Sequence, residues 1–223
     1  MDNIPFNILL KRNLPHILEE IFFNLDYDSF KNCMEVCGTW RGLLQSPKYM
    51  KRAKSVFWWK IKNDGIDLCN ASRVGNIERV KRIVSCKMVN VDFICKYKGT
   101  PLCEAALSGD RNVVQLLLNN GADPNKVDGF EWTPLHHATY RGNRNVVEVL
   151  LERGSDPDSS TINGSTPLHL ALKYGDEEMV KLLLQKGASP KKQNYWGETP
   201  IHLAQERGFK KVVRMLQGDQ LEG

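Results

Sequence analysis

The sequence of 223 residues lacks the features of a secreted or membrane-anchored protein. No apolar run approaches the length of a membrane span, about 18 residues. The first ten residues contain no Lys or Arg, and the apolar run Ile8-Leu9-Leu10 is too short for a signal peptide. The final residues lack the cysteine that prenylation requires. We therefore expect a soluble protein of cytoplasmic or nuclear location, with no membrane partner.

The sequence also lacks the motifs of metal binding and catalysis. Its six cysteines include no C-x2-C pair, and no Gly-rich phosphate loop, paired-carboxylate constellation or nucleophile elbow is present. Disulfides are not expected in a chain without export signals. We expect reduced thiols in or near the core, no metal or other cofactor, and no enzyme activity.

Acidic residues are absent between Glu35 and Asp64, and this stretch carries seven basic residues: Arg41, Lys48, Lys51, Arg52, Lys54, Lys60 and Lys62. Ser46-Pro47 is typical of a helix start, so residues 48–64 are predicted to form a basic connector helix. Such a helix could bind nucleic acid, with Trp58 and Trp59 stacking on bases. We favour a connector with a solvated basic face, because nucleic-acid binding usually comes with a recognisable module.

A Thr-Pro pair recurs at fixed intervals through the rest of the chain. It stands at Thr100-Pro101, Thr133-Pro134, Thr166-Pro167 and Thr199-Pro200, and each interval is 33 residues. A fixed period in this range indicates stacked copies of one supersecondary unit.

One copy illustrates the predicted unit. Thr133 caps a helix whose first residue is Pro134, and the small Ala138 faces inward. Gly142 ends this helix in a backbone conformation that is costly for residues with a Cβ. A second helix is predicted over 145–153, stopped by Gly154.

The unit resembles the ankyrin repeat. The resemblance rests on the motifs Thr-Pro-Leu-His, Val-Val-x-x-Leu-Leu and Gly-Ala-Asp-Pro-Asn, and it covers residues 65–217. It implies helix-turn-helix repeats with β-hairpin tips, stacked as a solenoid. Five repeats are predicted: a degenerate cap at 65–98, then 99–131, 132–164 and 165–197, and a truncated cap at 198–217.

Three histidines beside the Thr-Pro pairs suggest catalysis at first sight. His136, His169 and His202 recur in register, however, so a structural role is the better interpretation. Each is expected to bond backbone or Thr groups between neighbouring repeats, as in the family. Cys103 replaces this histidine in the second copy.

The N-terminal residues form a separate helical module. Leu14, Leu18, Ile21 and Leu25 are spaced 4, 3 and 4 apart, which places them on one helical face. Two or three helices in about 35 residues cannot bury both of their apolar faces, so either a partner or the following repeats must cover them.

Residues 8–47 resemble an F-box, in which a Leu-Pro pair is followed by Ile, Leu-Asp and a Val-Cys-x-x-Trp ending. The matching residues here include Leu14-Pro15, Val36-Cys37 and Trp40. The resemblance implies docking on the Skp adaptor of cullin–RING ubiquitin ligases. The residues expected to contact Skp are Leu14, Pro15, Ile21, Phe22, Leu25, Phe30, Val36, Cys37 and Trp40.

Target recognition is expected where the repeats depart from their own pattern. Exposed aromatic residues and arginines at the tips and on the first helices are typical of interface hot spots. We call this set the target face: Phe130, Trp132, Tyr140, Arg141, Ile162, Lys173, Tyr174, Tyr195, Trp196 and Arg207. Glu131 stands where other tips have Gly164 and Gly197, so a different conformation is expected for its tip.

The sequence therefore predicts an all-α chain consisting of a short helical F-box, a connector helix and an ankyrin-repeat solenoid. By resemblance, it is a non-catalytic substrate receptor of an SCF-type ubiquitin ligase, which holds Skp at one end and a protein target on the concave face. One alternative is an ankyrin scaffold without a ligase role. Another is a nucleic-acid binder that uses the basic connector.

Overall fold

A computed structural model describes residues 64–85, 89–95 and 99–217. All of these except Asp64 belong to one unit, comprising Gly65–Ser85 and Val89–Gly223. The predicted F-box at 8–47, with its nine Skp contacts, and residues 48–63 of the connector lie outside the described residues. Those assignments, like the boundaries between repeats, stay predictions.

The described residues form ten helices, and none of these residues lies in a β-strand, as the all-α class predicts. The helices are α1 (64–73), α2 (Ile77–Ser85), α3 (Pro101–Ser108), α4 (Arg111–Asn119), α5 (Pro134–Tyr140), α6 (Arg144–Glu152), α7 (Pro167–Tyr174), α8 (Glu177–Gln185), α9 (Pro200–Glu206) and α10 (Lys210–Gln217). Among them, no helix is both long and apolar enough to cross a membrane.

The helices pack as pairs in two layers. The first helices α3, α5, α7 and α9 contact one another in order, and the second helices α2, α4, α6, α8 and α10 do the same. Within each of the last four pairs, the first helix also contacts the second. Each pair therefore buries its apolar residues against its neighbours in the chain, as expected for a repeat protein.

The core repeats with the sequence. One leucine from each of the helices α1, α3, α5 and α7 is fully buried, namely Leu68, Leu102, Leu135 and Leu168. Fully burying a leucine contributes about 1.5–3 kcal/mol. Alanine follows three residues later at Ala71, Ala105, Ala138 and Ala171, and Ala204 occupies the same place in α9; all five are buried. Because alanine has no side chain beyond Cβ, neighbouring first helices can approach closely at these positions.

The predicted helix starts are confirmed. Thr100, Thr133 and Thr199 are N-caps with extended backbone, and each side chain accepts a hydrogen bond from the N–H three residues later. This bond satisfies one of the N–H groups that an α-helix leaves unpaired at its start. Gly142 has φ +70°, as its position after α5 predicts. The second helix α6 begins and ends one residue earlier than expected, at Arg144–Glu152.

The tips between helix pairs are tight hairpin turns, and a backbone hydrogen bond closes the base of each. The N–H of Asp128 donates to the carbonyl of Trp132 at 2.9 Å, and that of Asn194 donates to Glu198 at 3.0 Å. Thr161 donates to Ser165 in the same way at 3.0 Å.

The expectation of a different conformation at the Glu131 tip is wrong. Glu131 has φ +61°, close to the +75° of Gly164 and the +76° of Gly197. The Asp128 carboxylate holds the turn, since its Oδ1 accepts hydrogen bonds from the N–H groups of Phe130 at 2.8 Å and Trp132 at 2.9 Å. These contacts impose on a glutamate the left-handed backbone that favours glycine.

The substitution Glu131→Gly should raise the free energy of unfolding by about 0.5–1 kcal/mol. Relief of left-handed strain is worth about 1–2 kcal/mol, and it exceeds the extra unfolded-state entropy of glycine, about 0.4–1 kcal/mol. The urea midpoint of the full chain, followed by circular dichroism, measures the change. A lower midpoint for Glu131→Gly would show that the turn carries no strain at this residue.

Two substitutions at the other tips provide controls. A Cβ on Gly197 meets nothing within 4 Å, so Gly197→Ala should cost only the backbone strain. A Cβ on Gly164 would lie 2.8 Å from Tyr195 Cδ1 and 2.9 Å from Tyr195 N, so Gly164→Ala should cost more.

Candidate functional site

The recurring histidines link neighbouring helix pairs. His136 Nδ1 lies 2.7 Å from Thr133 Oγ1 and accepts the Thr133 N–H at 3.2 Å. Because Nδ1 is an acceptor, the proton of the neutral ring is on Nε2, which donates to the Ser165 carbonyl at 3.2 Å. His169 repeats the arrangement and donates from Nε2 to the Glu198 carbonyl at 3.1 Å.

Two cysteines occupy the same position earlier in the stack. Cys103 Sγ lies 3.8 Å from the Trp132 carbonyl oxygen, and Cys69 Sγ lies 3.8 Å from that of Gly99. The structural role expected for the histidines is therefore confirmed at His136 and His169, whereas His202 is exposed. Both ring nitrogens of His136 and His169 are occupied by hydrogen bonds to backbone and Thr groups, so these rings are not available for acid–base chemistry.

Burial keeps these rings uncharged. It lowers the pKa of His136 from 6.5 to about 4, and hydrogen bonding to the Ser165 carbonyl only partly opposes the shift. Burial likewise lowers the pKa of His169. Both imidazoles are neutral at pH 7, which suits a group that donates through one nitrogen and accepts through the other.

Stability should fall as the pH drops below 6.5. His136 is protonated in the unfolded chain below pH 6.5, whereas in the folded chain it stays neutral until the pH nears 4. Protonation therefore stabilises the unfolded state over this range. For this residue the loss between pH 6.5 and pH 5 is about 1.6 kcal/mol, because half of the unfolded chains already hold the proton at pH 6.5 and nearly all hold it at pH 5. Urea midpoints of wild type and His136→Gln across this range measure it. Equal pH slopes for the two proteins would contradict the assignment.

Nine of the ten residues of the target face are exposed, and Trp132 is half-buried. Tyr195 and Trp196 are the most exposed large hydrophobic side chains of this set, at 79% and 66%. Solvent-exposed aromatic side chains grouped in this way are typical of interaction surfaces.

The aromatic rings of the target face join two helix pairs. Trp132 meets Tyr140 edge-on with ring centroids 5.7 Å apart, and Tyr140 meets Tyr174 edge-on at 5.3 Å. Trp132 also packs on the rings of His136 and His137, at 6.0 and 5.2 Å. Packing along the hairpin thus explains the partial burial of Trp132, while both tyrosines remain available to a ligand.

An open pocket of about 420 Å³ lies beside these rings. It brings together four residues of the target face, Trp132, Lys173, Trp196 and Arg207. Arg207 is fixed there, because its Nη1 donates to the Lys173 carbonyl at 2.7 Å. Phe130, Tyr140, Arg141, Ile162, Tyr174 and Tyr195 are not among the residues that line this pocket.

Several polar lining residues were not predicted from the sequence. They are Asn163, Asn194, Glu198 and Glu206. Asn163 and Asn194 belong to the tips, and Glu206 ends α9. Comparing each tip and helix-end position with its equivalents 33 residues away would have found them. Their amides and carboxylates supply hydrogen-bonding groups beside two tryptophans and two cations.

Asp128 is a buried acid at the base of the Glu131 tip. Burial opposes its charged form, but hydrogen bonds from His137 and from the N–H groups of Trp132 and Phe130 hold the pKa of Asp128 below its usual value. His137 Nε2 lies 2.8 Å from Asp128 Oδ2. The Asp128 carboxylate therefore holds the tip and His137 together through hydrogen bonds, and it places a negative charge at the base of the tip.

Comparisons with known proteins agree with both resemblances. The family model for ankyrin repeats (three copies) matches residues 68–161 and 153–221, and the F-box domain model matches residues 12–52. The ankyrin repeat-containing protein YIL001W of Saccharomyces cerevisiae is 38% identical over 65 residues, which is 28% of this chain and 12% of that protein. The chain thus matches about an eighth of the length of this curated relative.

Proposed function

The chain belongs to the ankyrin repeat family and carries an F-box domain, and from this we propose that it is a substrate receptor of an SCF-type cullin–RING ubiquitin ligase. The F-box binds the Skp adaptor, and through it the cullin, while the target face of the ankyrin repeats binds a protein target. The chain performs no chemistry itself. It raises the effective concentration of the target near the ligase.

The match of residues 12–52 to the F-box model carries this proposal. A module this small needs a partner for its apolar residues, and Skp is the partner that the family implies. The nine Skp contacts proposed from the sequence fall within the matched range.

The target face supports the second half of the proposal. Tyr140 and Tyr174 are exposed by 42% and 53%, although they pack against each other. The adjacent pocket adds Trp196 and the cations of Lys173 and Arg207. Aromatic side chains with limited rotamer freedom, next to charged groups, favour protein recognition at low entropic cost.

Skp binding tests the ligase role. The full chain should retain Skp in a pull-down, and the double variant Leu14→Asp with Trp40→Ala should lose it, because both substitutions remove apolar contacts of the F-box. A double variant of the target face, Tyr140→Ala with Tyr174→Ala, is the matched control and should bind Skp as wild type does.

Two outcomes would contradict the ligase role. If wild type does not bind Skp, or if the F-box double variant binds it equally well, the F-box does not hold Skp through these residues and the ligase role is contradicted. Unchanged circular dichroism of each variant separates loss of binding from loss of folding.

Target binding can be tested on the same proteins. Proteins that co-purify with the full chain should be depleted by at least about tenfold in the Tyr140→Ala and Tyr174→Ala double variant, since hot-spot aromatics each contribute about 2 kcal/mol or more. Lys181→Ala, an exposed change on the second-helix layer, should leave capture unchanged. Equal depletion by both variants would remove the target face as the binding surface.

A further inference from the structure

Three side chains of metal-ligating types converge where helices α3 and α5 meet. Cys103 lies on α3, Asp128 at the base of the following tip, and His137 on α5. One ligand atom from each of the three lies within 4.8 Å of the others. Cys103 and Asp128 are buried and His137 is half-buried, so the cluster is protected from bulk solvent.

The fold does not require these residue types at these positions. The same three positions recur at the two following interfaces, where they are occupied by His136, Thr161 and Leu170 and by His169, Asn194 and Leu203. The Thr161 and Asn194 tips close with the same backbone hydrogen bond as the Asp128 tip. The stack therefore does not need the thiol of Cys103, the carboxylate of Asp128 or the imidazole of His137 at these positions.

The preceding interface makes a useful contrast. Its equivalent positions hold Cys69, Cys95 and Glu104, which are also possible ligands. Glu104 is directed elsewhere, because its Oε2 accepts a hydrogen bond from Arg73 Nε at 3.1 Å. Within the described residues, the presence of possible ligands at these positions is thus not enough to form a cluster. At the α3–α5 junction the three side chains also point toward one another.

We propose that Cys103, Asp128 and His137 form a binding site for a divalent transition-metal ion of the zinc type. Thiolate, imidazole and carboxylate are the groups that zinc takes as ligands, and three protein ligands leave a fourth position open for water or another group. The site goes beyond the adaptor role and does not depend on it.

The geometry needs only small side-chain adjustments. Ligand atoms around a tetrahedral zinc ion are about 3.3–3.6 Å apart, given bond lengths of about 2.0–2.3 Å. His137 Nε2 and Asp128 Oδ2, now 2.8 Å apart, would separate slightly, and Cys103 Sγ would move inward. The Cys103 thiol is held only by long contacts, 3.8 Å and 3.9 Å from the carbonyl oxygens of Trp132 and Lys126.

Supporting contacts already orient the ligands. Asp128 Oδ1 accepts two backbone N–H groups of its own tip, which leaves Oδ2 directed toward His137. The Trp132 ring packs on His137 with centroids 5.2 Å apart. Such outer contacts fix the ligands of metal sites in productive orientations.

Binding exchanges a proton for the ion. The Cys103 thiol gives up its proton and becomes a thiolate ligand, and the ion also replaces the Nε2 proton that His137 donates to Asp128, so that Nε2 becomes the ligand and the ring carries its proton on Nδ1. The ion thus takes the place of protons that the ligands lose, as thiolate and imidazole ligation requires.

Cobalt(II) is a direct probe of this site, because a cobalt–thiolate bond gives an intense charge-transfer absorption in the near ultraviolet. Titration of the reduced, tag-free full chain should reach saturation at one equivalent, and zinc(II) should abolish the absorption. Cys103→Ser should remove the band, and Cys69→Ser, at the matched position of the preceding interface, should leave it intact.

Two further variants copy residues that the stack already tolerates. His137→Leu copies Leu170 and Leu203, and Asp128→Asn copies Asn194. Each should weaken cobalt binding at least about tenfold, while the far-ultraviolet circular dichroism stays that of wild type.

The possible results separate clearly. Loss of the band in Cys103→Ser with retention in Cys69→Ser supports the site. Absence of a thiolate band in wild type, retention of the band in Cys103→Ser, or unchanged affinity in both His137→Leu and Asp128→Asn overturns it.

Discussion

Each helix pair is tied to the next by one side chain that reaches a backbone carbonyl 29 or 30 residues further along the chain. Cysteine makes this link at Cys69 and Cys103, and histidine makes it at His136 and His169. In all four cases the acceptor is the residue just before the N-cap of the next first helix. The link therefore joins each pair to the start of the next first helix. It is shortest where histidine donates, at 3.2 and 3.1 Å, and longer at the two cysteines, at 3.8 Å.

The core residues of the repeats recur from pair to pair, so the solvent-facing residues can differ between repeats without loss of the fold. The stack is specified by positions that recur every 33 residues, so tip and first-helix positions facing solvent carry little of the folding energy. Exposed rings such as Tyr195 and Trp196 add almost nothing to the core. Large apolar side chains placed there are costly to solubility and are best explained by recognition.

Much of the fold follows from the sequence, because the Thr-Pro pairs and glycines have strong local preferences. Thr133, Pro134 and Gly142 predict the limits of a helix through hydrogen bonding and backbone geometry alone. The start of α6 was missed by one residue, since fraying helix ends have no sharp physical signal. The conformation of Glu131 was missed because it is set by the Asp128 side chain and not by the preference of Glu131 itself.

The sites were less predictable than the fold. Exposed aromatic residues could be named from the sequence, because a known repeat shows which positions face outward. The pocket beside them and the cluster of Cys103, Asp128 and His137 depend on contacts between residues 9 to 34 positions apart. Such contacts arise only when the pairs stack, although a comparison of each position with its equivalents 33 residues away would have marked them. The Skp contacts lie outside the described residues and stay predictions.

The regular spacing of the tips would set the spacing of the contact residues in a target segment. Ile162 and Tyr195 occupy the same place on successive tips, and packed helices lie about 8–10 Å apart. An extended chain advances about 3.3 Å per residue. A target segment running along the tips in extended form would therefore meet one tip with about every third residue, so its recognition motif would have a period of three.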